Sequence, residues 1–432
     1  MLNKLSIVIL AAGKGSRMKS NKAKVLHDIS GKPMLYHIIK ESLVISDDVI
    51  VVVAHQKDAV IKQMNSYFEN ITYITQNADE FPGTGGAMMG VKPKYDDVLV
   101  LNGDMPLITS DALELFLQSD SDITMSIFDL INPDGYGRVA IENSKVQYIV
   151  EQKDATSEQE EITTVNAGIY RFKTSVLKTY IPQLSNDNAQ DEYYLTDIIA
   201  LAKRDALSIK PLLVDEELFK GVNSKYDLAQ AEIIMQNRIK EMWMKKGVTM
   251  QLPQTIYIEE GVELSGECIL ENGVRLAQNS IICDSHIKAY SVIEDSVITD
   301  SAIGPMAHIR PSCVIKNTHI GNFVEVKKSS LNGVKAGHLS YLGDSQIEEG
   351  TNIGAGVITC NYDGINKYKT TIGKNVFIGS DSQIVAPCVI EDNVMIAAGT
   401  TIACKKVESG VLAINRAPLK TVKNFFYKFF KK

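Results

Sequence analysis

The sequence has no excess of basic charge, no long apolar run and no paired cysteines. Its 45 Lys and Arg stand against 52 Asp and Glu, a formal net charge of -7, so it lacks the overall positive field that holds nucleic acid. Anionic ligands must be met by local clusters, and no nucleic-acid partner is expected. No run of about 18 apolar residues could span a bilayer, and the chain passes from Met1 into an apolar strand without the pattern of a signal peptide. A soluble, cytoplasmic protein is the expectation. The six cysteines, at 268, 283, 313, 360, 388 and 404, fall in the second half, none in a CxxC pair and several at apolar repeat positions. This argues against a metal cluster or disulfides and predicts buried free thiols.

With 45% apolar and 22% charged residues, 432 residues can build two or three domains with real cores. Up to about residue 220, short β-rich runs alternate with helical ones: "LSIVIL", "PMLYHIIKESL", "VIVVVA", "DAVIKQMNSYF", "ITYIT" and "DVLVLNGD". That alternation predicts an α/β domain, Rossmann-like and doubly wound on a mostly parallel sheet, with ligands at the carboxyl ends of the strands. From Ser224 to Lys246 one long amphipathic helix is expected, with a Ser N-cap and Gly247 as its stop. Beyond it the period becomes six: Ile258, Leu264, Leu270, Leu276 and Ile282, and later Ile378, Ile384, Ile390, Ile396 and Ile402. Six is wrong for a helix and fits one flat face of a triangular coil, so a left-handed parallel β-helix of hexapeptide repeats is predicted. The expected division is 1–223, a connecting helix at 224–247, and 248–432 with a C-terminal arm. Between Gly333 and Lys369, "GHLSYLGD" and "CNYDGINKYK" interrupt the register, as insertions on a binding face do. The basic, aromatic tail "APLKTVKNFFYKFFKK" suits either a membrane-surface helix or an arm packing on a neighbouring subunit. The arm is preferred, without stable membrane association, because one short segment anchors weakly.

Three places suggest chemistry. The turn Gly13-Lys14-Gly15-Ser16-Arg17 follows a strand but matches neither GxGxxG nor GxxxxGK[ST]. Its backbone N–H groups can form an anion nest, with Arg17 and Lys24 placed to neutralise phosphate, although a solvated basic loop reads the same way. Asp104, ending "DVLVLNGD", stands where a hard cation would find a carboxylate, or where a helix would find a cap. His338, in "KAGHLSYLGD", could be a general base near neutral pH; the other six histidines read as structural or surface residues.

"LAAGKGSRM" and "AKVLHDISGKPM" resemble the signature of sugar-phosphate nucleotidylyltransferases. With "GTGGAM", "NGDMPL", "GYGRV", "IVEQKDA", "VNAGIY", "NAQDEYYLTDIIA", "GNFVEVKK", "NIGAGVITCNYDG" and "GSDSQIVAP", the likeness covers nearly the whole chain. The chain is similar to the bacterial family of bifunctional N-acetylglucosamine-1-phosphate uridyltransferases/glucosamine-1-phosphate acetyltransferases. The resemblance implies acetyl transfer from acetyl-coenzyme A to glucosamine 1-phosphate by the C-terminal half. Uridylyl transfer from UTP to N-acetylglucosamine 1-phosphate by the N-terminal half would follow, giving UDP-N-acetylglucosamine for peptidoglycan and lipopolysaccharide assembly. It implies Mg²⁺ on Asp104 and Asn223, and Arg17 on the transition-state phosphates. Leu10, Ala11, Ala12, Gly13, Lys24, Gln76, Gly83, Thr84, Asn102 and Gly103 would hold the nucleotide, and Gly137, Glu151 and Asn166 the amino sugar. His338 would be the base of acetyl transfer. Arg310, Lys327, Tyr341 and Asn352 would bind the phosphorylated sugar, and Ala355, Asn361, Tyr362, Ser380, Ala398 and Arg416 acetyl-coenzyme A. A site of that kind forms between neighbouring solenoids, so a homotrimer is implied. Two rivals stay open: a single-activity relative, such as glucose-1-phosphate adenylyltransferase, whose solenoid only assembles or regulates, and a non-catalytic assembly protein. "KAGHLSYLGD" and "NIGAGVITCNYDG" speak against the first, and Arg17, Lys24, Asp104 and Asn223 against the second.

Overall fold

The computed structural model describes residues 4–430, and the chain forms two compact units that part between Met235 and Gln236. The first is built on a nine-stranded sheet: β1 (Leu5–Leu10), β2 (Asp48–Val53), β3 (Thr72–Thr75), β4 (Asp97–Asn102), β5 (Ile123–Asp129), β6 (Arg138–Glu142), β7 (Lys145–Val150), β8 (Thr164–Lys173) and β9 (Ile209–Leu213). Across the sheet the order is β9-β5-β8-β4-β1-β2-β3, with β6 pairing β8 and β7. β1, β2 and β4 read as near-continuous apolar runs because helices cover both faces, so every side chain must tolerate burial. The chain steps outward from β1 to β2 and β3, then returns to lay β4 on the other side of β1. That reversal opens a crevice at the carboxyl ends of β1 and β4.

The helix Lys225–Lys245 starts from a cap in which Ser224 Oγ accepts from the Asp227 N–H at 3.1 Å and Asp227 Oδ2 accepts from the Ser224 N–H at 2.8 Å. The parting between the units falls inside it. In the first unit Glu232 receives the Ser30 N–H at 2.9 Å. In the second, Gln236 brackets Ile258 by two hydrogen bonds, and Lys240 Nζ donates to Pro253 O at 3.0 Å. These side chains satisfy backbone groups on the first coil of the solenoid, and burial lowers the Lys240 pKa.

The second unit is a left-handed parallel β-helix with three sheets of 10, 9 and 9 short strands, each coil contributing one strand to each sheet in turn. The first sheet runs from Thr249–Met250 to Leu412–Ala413, the second from Tyr257–Ile258 to Thr401–Ile402, and the third from Glu263–Ser265 to Lys406–Val407. The ten aliphatics spaced by six all point inward, none more than 6% exposed. Corners are turned with left-handed backbone even at bulky residues, including Tyr290, Met306, Phe323 and Leu339 with φ between 50° and 58°. Each such residue costs on the order of 1 kcal/mol, offset by the ladder and core it lets the next strand join.

One expectation is corrected. "GHLSYLGD" does not interrupt the coil: Lys335–His338, Tyr341–Gly343 and Ser345–Ile347 enter the three sheets in order, with Ala336, Leu342 and Ile347 inside. Of the two stretches, 361–369 is the one that leaves it, folded back by a bridge between Tyr362 and Lys367 and by Asp363 Oδ1, which accepts from the N–H groups of Ile365 and Asn366 at 2.8 and 2.7 Å. Buried free thiols hold for Cys268, Cys313 and Cys388; Cys283 and Cys360 are half-buried and Cys404 is exposed, because corners and strand ends face outward. No helix among the described residues is long and apolar enough to cross a membrane.

Candidate functional site

In the first unit, β1 and β4 run parallel with Leu10 beside Asn102, and the Gly103 N–H donates to Leu10 O at 2.9 Å. A side chain at Gly103 would meet that carbonyl at 3.0 Å, so the strand ends sit this close because residue 103 has none. Ala11, Ala12 and Gly13 continue from β1, and Gly15 turns with φ 62°. A Cβ at Gly15 would press on Lys24 Cβ at 2.5 Å, so this glycine lets Lys24 fold back over the loop. Lys24 Nζ pairs with the Asp104 carboxylate and lies 2.7 Å from Asn223 Oδ1, to which Arg17 Nη2 also donates at 2.9 Å. The Val222 N–H donates to Asp104 O at 2.8 Å, and Asp227 Oδ2 accepts from the Asn223 N–H at 3.0 Å, which fixes both oxygen donors. Arg17, Asn132, Tyr136, Lys220, Gly221 and Asn223 line a cavity of about 500 Å³ beside them.

Gln76, following β3, donates to Phe81 O at 2.9 Å and to Gly83 O at 3.0 Å. Gly85 N–H donates to Tyr193 O at 2.7 Å, and Thr84 Oγ1 accepts from the Leu195 N–H at 3.1 Å, so Gln76, Gly83 and Thr84 form one group. Gly137, Glu151 and Asn166 form another. The Asn166 N–H donates to Gly137 O at 2.9 Å, and a Cβ on Gly137 would reach Glu151 Oε2 at 3.3 Å. Burial pushes the Glu151 carboxyl above its ordinary value, with Asp197, Asp154 and Glu192 adding to the effect and the Thr196 hydroxyl, donating at 3.2 Å, opposing it. A register shift in β8 between Asn166 and Tyr170 sets Gly168 against β4, where its carbonyl accepts from Asn102 Nδ2 at 3.1 Å. Asn102 thereby ties the strand end that carries Asp104 to the group around Asn166.

The second unit holds its candidates along one corner and the adjoining sheet. Asn322 pairs with His338 in the first-sheet ladder, and Ala336 pairs with Ile353, Ile353 with Ile378 and Ile378 with Ile396. Two residues past each inward aliphatic, Asn322, His338, Ala355, Ser380 and Ala398 therefore occupy one corner column on successive coils. Backbone links run along it: Asp381 N–H to Ala355 O and Gly399 N–H to Ser380 O, both 2.8 Å. The side chains of Ala355, Ser380 and Ala398 in this column are all small, and Arg416 donates to Ala398 O at 3.1 Å at its far end. Asn352 faces outward one coil above Lys335.

Across the corner, on the second sheet, Arg310 and Lys327 flank the inward residues Ile309 and Val326 on successive coils, and Arg310 Nη1 is paired with Glu325 Oε1 at 2.7 Å. Next in that column is Gly343, over which the Tyr341 hydroxyl folds; Asn361 Nδ2 lies 3.4 Å from that hydroxyl and pairs with Asp344. The 361–369 loop returns Lys367 against Lys327, and this cation, with Arg310 next, holds the Lys327 ammonium below its ordinary pKa. Cations crowded so closely suit an anionic ligand. Tyr362 is the outlier: it is exposed, and its hydroxyl donates to Gly364 O within the loop.

Reading the residues alone missed Lys367, Asn322, Thr196 and Asp227. The first three lie inside the quoted motifs "NIGAGVITCNYDG" and its continuation, "GNFVEVKK" and "NAQDEYYLTDIIA", but only the fold shows what each touches. Asp227 could have been found from the Ser-x-x-Asp spacing at the helix start.

Residues 7–136 match the family model of the MobA-like NTP transferase domain, and residues 369–404 match that of the bacterial transferase hexapeptide (six repeats). The chain is 65% identical over 430 residues to the bifunctional protein GlmU of Sulfurimonas denitrificans, covering 100% of this chain and 99% of that one. It is 59% identical to the bifunctional protein GlmU of Nitratiruptor sp., with 99% of each covered. Against the protein of the same name from Campylobacter jejuni it is 51% identical, covering 99% of this chain and 100% of the other.

Proposed function

The chain belongs to the family of bifunctional GlmU proteins, and from that premise we propose how its two units divide the work. It is a uridyltransferase and an acetyltransferase, the first activity resting on the nucleotidyltransferase unit and the second on the hexapeptide unit. In our reading the second unit acetylates glucosamine 1-phosphate from acetyl-coenzyme A. The first unit then joins N-acetylglucosamine 1-phosphate to UTP, releasing pyrophosphate and forming UDP-N-acetylglucosamine.

For uridylyl transfer the nucleophile is already a phosphate oxygen, so the protein's task is positioning and charge neutralisation. The observation that carries this assignment is the convergence of Lys24, Arg17, Asp104 and Asn223 at the strand ends. Arg17 and Lys24 neutralise the triphosphate, Gln76, Gly83 and Thr84 bound the nucleotide's end of the crevice, and Gly137, Glu151 and Asn166 receive the amino sugar. The Asp104 and Asn223 oxygens, on which a lysine ammonium now rests, are the kind of hard donors that would hold a divalent cation. Mg²⁺ fits there and would offset charge on the phosphates while Lys24 turns toward them.

For acetyl transfer, His338 takes a proton from the substrate amine at Nε2 as nitrogen attacks the thioester carbonyl. The carbon–sulfur bond then breaks and the thiolate recovers the proton. Arg310, Lys327 and Tyr341, joined by Lys367, bind the sugar phosphate, and Asn352 lies one coil beyond. Ala355, Ser380 and Ala398, with Asn361, Tyr362 and Arg416 at the edges, bind the coenzyme along the corner column.

A homotrimer is supported by the corner residues beside that column. Tyr290, Met306, Phe323 and Leu339 are apolar and exposed on four successive coils, a ridge that a second copy of the solenoid would cover. Nucleotide and coenzyme substrates, and six free thiols, fit a cytoplasmic setting.

The test is to incubate the purified chain with glucosamine 1-phosphate, acetyl-coenzyme A, UTP and Mg²⁺, then omit each in turn. UDP-N-acetylglucosamine is expected only from the complete mixture, with N-acetylglucosamine 1-phosphate accumulating when UTP is left out. His338→Ala should abolish acetyl transfer and spare uridylyl transfer. An inert complete mixture, or full acetyl transfer by His338→Ala, would overturn the assignment.

A further inference from the structure

We infer that Asn322 is the positioning residue for His338: one coil below, its side-chain oxygen holds Nδ1 and turns Nε2 toward the substrate. This rests on the reading of His338 as the base. Asn322 Oδ1 lies 2.9 Å from His338 Nδ1, and the two residues are register partners in the first sheet. An amide oxygen only accepts, so the nitrogen facing it carries the proton and the lone pair of the neutral ring falls on Nε2. That nitrogen can take the proton of the attacking amine, and Nδ1–H keeps its acceptor when the ring becomes charged.

The placement is built into the backbone. Gly321 and Gly337 stack directly beneath the pair, and a Cβ on Gly321 would run into the Gly337 carbonyl, with Gly337 Cα at 2.9 Å. Two glycines at this level let the coils approach closely enough for the short asparagine side chain to span them. Like charge lies nearby: on the strand below, burial lowers the His319 pKa, with Lys288, Lys335 and His338 adding to the effect, and Lys335 shares the strand of His338. Tyr341, three residues further along the chain, and Asn352, on the strand above, bring no carboxylate. A neutral amide orients the ring there without fixing a proton on it, which a carboxylate would do.

Three variants of the full chain test the inference, with uridylyl transfer as the internal control. Asn322→Ala should lower kcat for acetyl transfer about 10- to 100-fold, on the scale of losing the outer hydrogen-bond partner of a metal-bound imidazole, with both KM values changed by no more than about twofold. Asn322→Asp should move the acidic limb of the acetyl-transfer pH profile upward by about one unit, because a carboxylate favours the charged ring. His338→Ala reports on the underlying reading. In ¹⁵N-histidine protein, the His338 signals, assigned by their loss in that variant, should show Nε2 as the unprotonated nitrogen in the wild type, with mixed tautomers in Asn322→Ala. If His338→Ala is inactive while Asn322→Ala and Asn322→Asp keep the wild-type kcat, pH profile and tautomer, Asn322 has no such role. If His338→Ala keeps acetyl transfer, the assignment of the base itself has failed.

Discussion

Gly343→Ala separates site geometry from fold stability. Gly343 lies in the strand Tyr341–Gly343, has no positive φ, and uses its N–H on Thr359 Oγ1 at 2.8 Å, so alanine suits its backbone. The added methyl would lie 2.7 Å from Asn361 Nδ2, about 0.7 Å inside the 3.4 Å of an ordinary contact, and nearer still to the Tyr341 hydroxyl. Both neighbours are ends of side chains and can swing away, so the cost in stability should stay at about 1 kcal/mol. The same swing displaces Tyr341 from the set proposed for the sugar phosphate and Asn361 from the set proposed for the coenzyme by close to an ångström. Misplacement on that scale costs about 10²-fold in rate, or ~2.7 kcal/mol of transition-state stabilisation. The measurement is kcat/KM for acetyl and uridylyl transfer on one preparation, with a thermal melt beside it. Acetyl transfer should fall about 100-fold and uridylyl transfer stay within about twofold. Unchanged acetyl transfer would refute the reasoning, as would a parallel loss of both activities. Gly321→Ala supplies the contrast: its methyl meets the Gly337 backbone, which cannot swing, so the second unit should lose about 3 kcal/mol in denaturant unfolding.

Further outcomes follow from other sites. Lys367→Ala should raise KM for glucosamine 1-phosphate about 10-fold, the worth of one charge-assisted hydrogen bond, with KM for acetyl-coenzyme A unchanged in steady-state kinetics. Asp104→Ala should abolish uridylyl transfer and spare acetyl transfer; retained UTP turnover would sink the metal assignment. The Glu151 carboxyl is pushed up by burial, so it favours the fold below its ordinary value of 4.5, and that contribution is lost as pH rises through the raised value. Glu151→Gln should therefore melt higher than the wild type near pH 7, with the advantage gone below about pH 4.5, while KM for N-acetylglucosamine 1-phosphate rises. Ile309→Ala, at a fully buried rung between Arg310 and the solenoid core, should cost about 2–5 kcal/mol.

The architecture was legible in the residues because periodicity is a local property. An aliphatic every six residues decides which side chains face inward before any coil has formed, and apolar runs alternating with helical ones announce a covered parallel sheet. The glycines of the first loop likewise mark where backbone must come close. Tertiary structure alone brought Lys24 onto Asp104 and Asn223, respectively 80 and 199 residues away, because the strand order determines which loop ends share a crevice. It also aligned Asn322, His338, Ala355, Ser380 and Ala398, whose spacings of 16, 17, 25 and 18 residues follow no period. Corners absorb one residue more or fewer, and the 361–369 loop absorbs several, while the hydrogen-bonded ladder restores the register on each coil. Counting along the chain therefore misread "GHLSYLGD" as a break, whereas the ladder, which counts coils, put its histidine beside an amide and in line with a column of small residues.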